Sequence, residues 1–319
     1  MNYLVTGGTG FVGAYAVKAV VEAGHRVTVL DLMPNREYLA DVLDGPAADK
    51  VQLISGDVTD LPAVLRAMRS AEAQRVVHLA ATLSVSSEAN PLRTLKVNCE
   101  GTLNVFEAAL ALGVSKVVWA SSVAVFGISG DREGFIENNA HHEPTGLYGA
   151  VKSFNESLGM HYKNRRGLDN IGLRFTVAYG YGKGLTVARG TGADFVTELL
   201  EKPAIGEPGV IRNGDDTPDF LYAEDAGRAL HLATEAPPCP LSGLTICGST
   251  GSMRDAVALV KRLLPDADLR VEDGQTIGAM NYDPSVTETA IGYSPQFTLE
   301  DGFRATINAM RRKHGLPLI

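Results

Sequence analysis

The sequence predicts an α/β protein, a doubly wound parallel sheet joined to a smaller, interleaved C-terminal lobe. Three observations carry that expectation. Short, fully apolar runs alternate with stretches of helical spacing through the first half of the chain. A glycine cluster separates the first run from the first helical pattern, and the alternation loosens after Phe175. Strands that are apolar on both faces belong in a parallel sheet covered by helices on each side. Alternating units of this kind wind into a doubly wound fold.

The apolar runs are Tyr3–Thr6, Arg26–Leu30, Val51–Ser55, Arg75–Ala80, Lys116–Ser121 and Ile171–Phe175. Helical spacing lies between them at Val12–Ala23, Leu61–Arg69, Pro91–Leu112 and Tyr148–Arg165. Beyond Phe175, Tyr179–Gly192 is glycine-rich and Lys202–Asp219 mixes proline, glycine and charge. A helical pattern returns at Ala223–Thr234, and Leu244–Cys247 reads as one more buried strand. The tail Met253–Ile319 carries two helical patterns around a strand-like stretch at Asp268–Glu272. The expected division is a large domain of 1–178 with 215–249 and a small lobe of 179–214 with 250–319.

The bulk numbers narrow the function. With 319 residues, 45% hydrophobic and 21% charged, the chain can bury a large core without staples. A net charge of −8 leaves no basic surplus to replace phosphate counterions, which excludes nucleic acid as a partner. Cys99, Cys239 and Cys247 are odd in number and lack CxxC spacing, so reduced thiols and no metal site are expected. The chain starts on a strand pattern without a basic lead-in. No run approaches the roughly 18 apolar residues that span a bilayer, so no membrane partner and a cytoplasmic location are expected.

Gly7-Gly8-Thr9-Gly10-Phe11-Val12-Gly13 follows the first strand and opens the first helix. One glycine permits the tight turn, the next lets the backbone approach a pyrophosphate, and Gly13 allows close helix–strand packing. The free N–H groups of Phe11, Val12 and Gly13 then face phosphate charge. A dinucleotide-binding, Rossmann-type domain follows from that context. Asp31 closes the second strand, where a carboxylate accepts hydrogen bonds from ribose hydroxyls and repels a 2′-phosphate. NAD is favoured over NADP, with Arg36 keeping NADP open. Asp57 and Val58 end the third strand beside the adenine position, although a turn aspartate is the competing reading. Leu79-Ala80-Ala81 lets the backbone pass close to the cofactor, and neighbouring His78 reads as a core histidine.

Tyr148 and Lys152 are four apart in a helical pattern and share a face. A tyrosine is a poor base at neutral pH, and a nearby ammonium favours its phenolate. Tyr148 is expected to move the alcohol proton and Ser122, at the carboxyl end of the fifth strand, to hold the reacting oxygen. Ser121 could instead satisfy backbone groups. The same spacing recurs from Tyr179 to Lys183, in a glycine-rich run that disfavours a helix.

Taken in order, Gly7-x-x-Gly10-x-x-Gly13, Asp31, Asp57, His78-Leu-Ala-Ala81, Asn98, Ser121-Ser122, Tyr148-Gly-Ala-Val-Lys152 and Leu173-Arg-Phe resemble the extended short-chain dehydrogenase/reductases. That family includes the NAD-dependent epimerase/dehydratase group. The resemblance implies bound NAD, a Ser122/Tyr148/Lys152 set, Asn98 among the cofactor residues, and a homodimer through helices 91–112 and 148–165. It also bears on substrate. Members acting on nucleotide-sugars usually have Asn where this chain has Thr176, and Arg where it has Pro218. Both residues help hold the diphosphate in that group. Arg189 and Arg212 are candidate replacements, and Thr82, Ser84, Ser122 and Thr176 complete the expected substrate set. Two functions follow. One is a net oxidoreductase acting on a secondary alcohol or ketone of a small polar substrate, sugar-like or a hydroxy acid. The alternative is a nucleotide-sugar 4-epimerase, or a related epimerase or dehydratase, on retained NAD. A binding protein that senses the cofactor without catalysis is disfavoured by the intact Ser122/Tyr148/Lys152 set.

Overall fold

The computed structural model describes residues 1–43, 45–127, 135–184, 194–276 and 280–319. Six strands lie among the described residues up to Phe175: β1 (Asn2–Thr6), β2 (Arg26–Asp31), β3 (Gln52–Ser55), β4 (Arg75–His78), β5 (Lys116–Ser122) and β6 (Asn170–Phe175). The second half adds β7 (Val177–Tyr179), β8 (Gly209–Ile211), β9 (Asp219–Tyr222), β10 (Gly243–Ile246), β11 (Ser249–Thr250) and β12 (Leu269–Val271). Seven of these form one sheet in the order β3-β2-β1-β4-β5-β6-β10. Every neighbouring pair in it is parallel.

Period-two alternation sends successive side chains of each strand to opposite faces. Tyr3, Val5, Val27, Val29 and Val118 pack on one side with the helices Phe11–Glu22 and Ala223–Glu235. Leu4, Leu30, Val76, Val117 and Trp119 pack on the other with Leu61–Ser70 and Gly101–Leu112. Both faces are thus sealed, as a parallel sheet requires. The chain reverses its winding where β1 pairs with both β2 and β4. Such a switch point opens a crevice at the carboxyl ends of the strands.

A separate core gathers Tyr179, Val196, Leu199, Leu200, Phe220, Met253, Val260 and Phe303. It underlies a three-stranded sheet, β11-β9-β7, and a parallel pair, β12-β8. Among the described residues the tail holds three helices rather than two: Met253–Leu263, Ser285–Ile291 and Leu299–Lys313. The middle one is only seven residues long and stops at Gly292 (φ 67). That is too short to show a clear helical period in sequence. Its Ile291, with Tyr293, joins the core of the large sheet. Among the described residues no helix is long and apolar enough to cross a membrane.

Candidate active site

The glycine turn is fixed by space. Gly7 (φ +67) donates its N–H to Leu30 O at 2.8 Å, and a Cβ there would stand 2.8 Å from Ala80 N. A Cβ on Gly13 would sit 2.1 Å from Gly7 O. Substitution at either position forces the β1 turn away from β4 or from the helix. Gly10 differs: only Gly7 O, at 3.1 Å, lies near its missing Cβ, so the turn presents open space there. Gly10 caps the Phe11–Glu22 helix without a side-chain hydrogen bond. The first N–H groups, those of Phe11, Val12 and Gly13, have no partner within the helix by its geometry. An open cradle with uncapped donors fits a pyrophosphate.

Asp31 is buried at the end of β2. Its Oδ2 accepts from the N–H (3.1 Å) and hydroxyl (2.7 Å) of Thr9, which ties the β2 end to the glycine turn. Arg36 donates to Ala48 O (2.9 Å) and Val51 O (3.1 Å). Its guanidinium is committed to backbone and does not face Asp31 as a phosphate clamp. Asp57 accepts from Thr59 N–H at 2.9 Å and so shapes its own turn, while Val58 is buried against the helix that follows. Ala80 closes on Gly7, and Leu79 and Ala80 extend β4 toward the crevice. His78 is buried between Thr6 (2.6 Å) and Thr102 (3.2 Å), and burial, then the Lys152 charge, push its imidazole down to about 3. It stays neutral at physiological pH.

Asn98 faces the loop after β4. Its Oδ1 accepts from Thr82 N–H at 2.7 Å and its Nδ2 donates to Thr82 O at 3.1 Å. It therefore holds Thr82 and the preceding Ala81 in place from a distance of sixteen residues. It lies in a π-turn, Leu95–Glu100, that interrupts the run Pro91–Leu112 and frees Asn98 O to accept from Asn155 Nδ2 at 2.8 Å. π-turns inside helices often sit at functional sites. Ser84 opens a short helix, Ser84–Ala89, beside this loop.

Ser122 ends β5, and Tyr148 and Lys152 lie on the helix Leu147–His161. The structure brings all three together. Ser122 Oγ accepts from Ala124 N–H at 3.1 Å and lies close enough to Tyr148 to act on its phenol. Lys152 Nζ sits 5.4 Å from the centre of the Tyr148 ring and donates to Ala120 O at 2.6 Å. The second Tyr-x-x-x-Lys pair does not reproduce this, because Tyr179 belongs to β7 and Lys183 follows in a turn.

The electrostatics differ from the sequence expectation in sign. Burial pushes the Tyr148 phenol up to about 12, and the Ser122 hydrogen bond only partly opposes it. Burial pushes Lys152 down to about 8, with Cys99 and Glu156 acting to raise it. The ammonium lies over the ring face and spends its strongest contact on a carbonyl, so it does not overcome desolvation of the phenolate. The chain by itself holds Tyr148 as a proton donor at neutral pH.

Sequence reasoning missed what holds this helix. Glu156, one turn beyond Lys152, and Arg174 on β6 form an ion pair at 2.6 Å with both side chains at most 3% exposed. Ser121 donates to Glu156 at 2.7 Å, which gives Ser121 a structural task beside Ser122. Arg174 also donates to Asn138 O and lies 5.0 Å over the Phe126 ring. The signal was present: a charged residue, Arg174, inside the otherwise apolar run Ile171–Phe175. Gly149 lets the helix approach the β5 end, since a Cβ there would meet Ala124 O at 2.3 Å. Glu88 accepts from Leu147 N–H at 2.7 Å and caps the helix from outside.

The expected substrate positions scatter. Thr176 donates to Asp219 Oδ1 at 2.5 Å, and Asp219 also accepts from Gly248 N–H at 2.8 Å. Burial first raises the Asp219 carboxyl, against these hydrogen bonds. Arg212 is exposed and lines a cavity of about 510 Å³ in the lobe, shared with Asp194, Glu198, Lys202 and Pro218. Arg189 lies outside the described residues.

A model of the NAD dependent epimerase/dehydratase family matches residues 3–240. The chain belongs to that family. It is accordingly an enzyme of the NAD-dependent dehydrogenase, epimerase and dehydratase class. It is 28% identical to a D-erythronate dehydrogenase of Cupriavidus necator, covering 96% of this chain and 97% of that one. It is 29% identical to a dTDP-glucose 4,6-dehydratase of Streptomyces antibioticus over 98% of this chain and 92% of the relative. A UDP-glucose 4-epimerase of Thermus thermophilus, solved in complex with NAD, matches with TM-score 0.82 and 26% identity, covering 98% and 99% of the two chains.

Proposed function

We propose that this family member is a net oxidoreductase, interconverting a secondary alcohol and a ketone on a small polar substrate, sugar-like or a hydroxy acid, that carries no nucleoside diphosphate. NAD, when bound, would supply the hydride acceptor or donor for this chemistry. Gly7–Gly13 would hold its pyrophosphate and Asp31 its adenosine ribose. Ser122 orients the reacting oxygen. Tyr148 gives its phenolic proton to a ketone oxygen during reduction and takes the alcohol proton during oxidation. Lys152 supplies the positive charge that steadies the phenolate form.

One observation carries the substrate reading. At the two positions where nucleotide-sugar members usually place diphosphate donors, this chain has Pro218, which offers none, and Thr176, whose hydroxyl is spent on Asp219. Two negative charges stripped of water need donors in return. The carboxylates of Asp194, Glu198 and Asp216 around the lobe cavity work against an anion as well. Likeness to a dehydrogenase of a sugar acid supports the same reading. The epimerase or dehydratase reading rests on the likeness to enzymes of nucleotide-sugars.

Release of NADH separates the two. With a panel of polyols, sugar acids and hydroxyketones, stoichiometric NADH absorbance is expected, and nucleoside diphosphates leave the melting temperature unchanged. Turnover of a nucleotide-sugar without NADH release would replace this function by the alternative.

The exposed apolar side chains support the dimer. Leu92 (76% exposed), Leu95 (46%) and Leu103 (38%) lie on the run 91–112, and Phe154 (52%) lies on the Leu147–His161 helix. Burying these faces against a second copy would make the homodimer, which sedimentation reads directly. Three free thiols, Cys99, Cys239 and Cys247, suit the reducing cytoplasm.

A further inference from the structure

Away from the active site, at the amino edge of the sheet, three potential ligands converge. His25 stands in the turn before β2, while His231 and Glu235 are one helical turn apart on Ala223–Glu235. Each can offer one donor atom such that all three lie within 4.8 Å of one another. The two imidazole rings are 5.5 Å apart, and Tyr3 stacks on His25 at 5.3 Å.

We propose that His25, His231 and Glu235 bind a transition-metal dication of the zinc class. Two imidazoles and a carboxylate are a zinc donor set, with water completing the tetrahedron. Two observations make the cluster more than a coincidence of polar side chains. His231 Nδ1 is buried and has no hydrogen-bond partner among the described residues, a costly state for a polar atom beside an aromatic stack. The carboxylate is also oriented from behind: the Tyr3 hydroxyl donates to Glu235 Oε1 at 2.6 Å and lies 2.9 Å from Thr234 Oγ1. Such outer hydrogen bonds fix ligand orientation in metal sites.

Zinc bonds of about 2.0–2.1 Å need the donors about 3.3 Å apart, so the cluster contracts by at most about 1.5 Å. Glu235 is exposed and both histidines are half-buried, so side-chain rotation suffices. Opposing features are the Arg75 guanidinium on Thr234 O (3.1 Å) and the Met1 amine 3.3 Å from His25 Nδ1. A bound ion would tie residue 25 to residue 231 and clamp the start of β2 against the last turn of the helix. Its effect would be stability rather than turnover.

The test uses untagged protein stripped with a chelator and then titrated with Co²⁺ or Zn²⁺ alone. One equivalent of cobalt with the visible absorption of a tetrahedral site is expected, displaced by zinc, with a melting temperature several degrees higher under excess zinc. His25→Gln and the double variant His231→Gln/Glu235→Gln should abolish both signals. Tyr3→Phe should weaken binding about 10–100-fold. Turnover, which depends on the opposite edge, should be unchanged in His25→Gln and reports that the variant is folded. No tetrahedral cobalt band in the wild type would overturn the proposal, as would a zinc shift that survives in folded His25→Gln.

Discussion

The glycine turn and the surroundings of the second core are built by opposite means. At the turn, position is enforced by backbone: Gly7, Gly10 and Gly13 leave room, and the nearest obstacles to a larger residue are main-chain atoms of Ala80 and Gly7. Beside the second core, position is set by side chains that satisfy each other, such as Thr176 with Asp219 and Arg254 with Asp215 (2.9 Å). Backbone sterics tolerate almost no substitution. Side-chain bonds can be re-paired at a cost of about 1 kcal/mol each. The glycine turn is therefore fixed, while side chains beside the second core can be exchanged without disturbing the sheet.

The largest expected effect lies on the catalytic helix. Tyr148→Phe should lower turnover by about 10²–10⁴-fold, the range of general acid–base catalysis, while NAD still binds by fluorescence titration. Retained activity would remove Tyr148 from the proton path. The charge beside it gives a pH signature. Because burial holds Lys152 down near 8, its ammonium is present below that pH and is lost above it. Carbonyl reduction should fall as pH rises through about 8, and Lys152→Arg, charged throughout, should flatten the fall. An unchanged inflection in that variant would assign it to another group.

Next in size is the buried pair that anchors the catalytic helix to β6. Arg174→Met leaves the Glu156 carboxylate buried and unpaired, which should cost about 3–5 kcal/mol in urea unfolding. Burial acts to raise this carboxyl, but Arg174, Ser121 and His142 together hold it below the usual range. Its stabilisation is present above the unfolded carboxylate value and fades as pH falls through the folded one. Loss below about 1 kcal/mol would mean that water reaches Glu156 once the arginine is gone.

What the sequence disclosed follows the same division. Strand positions and the glycine turn were legible because their causes are local: apolar runs, and glycines next to a strand end. Tyr148 and Lys152 were legible because four residues make one helical turn. The occupation of Arg36, Thr176 and Asn98 was not. Their partners, Ala48 and Val51, Asp219, and Thr82, are 12 to 43 residues away, so only tertiary contact reveals that these polar groups are already satisfied. The direction of the Tyr148 shift was hidden for a related reason, since sequence shows the neighbouring charge but not the burial that outweighs it.

The smallest expected effect tests where the cofactor end stops. Asp31→Ala removes the carboxylate at the ribose position and should relax the preference for NAD over NADP. Arg36→Ala should leave that ratio within about twofold, because the guanidinium is spent on Ala48 O and Val51 O. Its loss should appear in thermal unfolding instead, as about 1–3 kcal/mol for donors removed from the carbonyls of buried Ala48 and Val51. A tenfold change in the NADP-to-NAD rate ratio of Arg36→Ala would mean that the arginine leaves those carbonyls for the cofactor. The backbone-built end would then depend on a mobile side chain, and the contrast with the lobe would fail at that point.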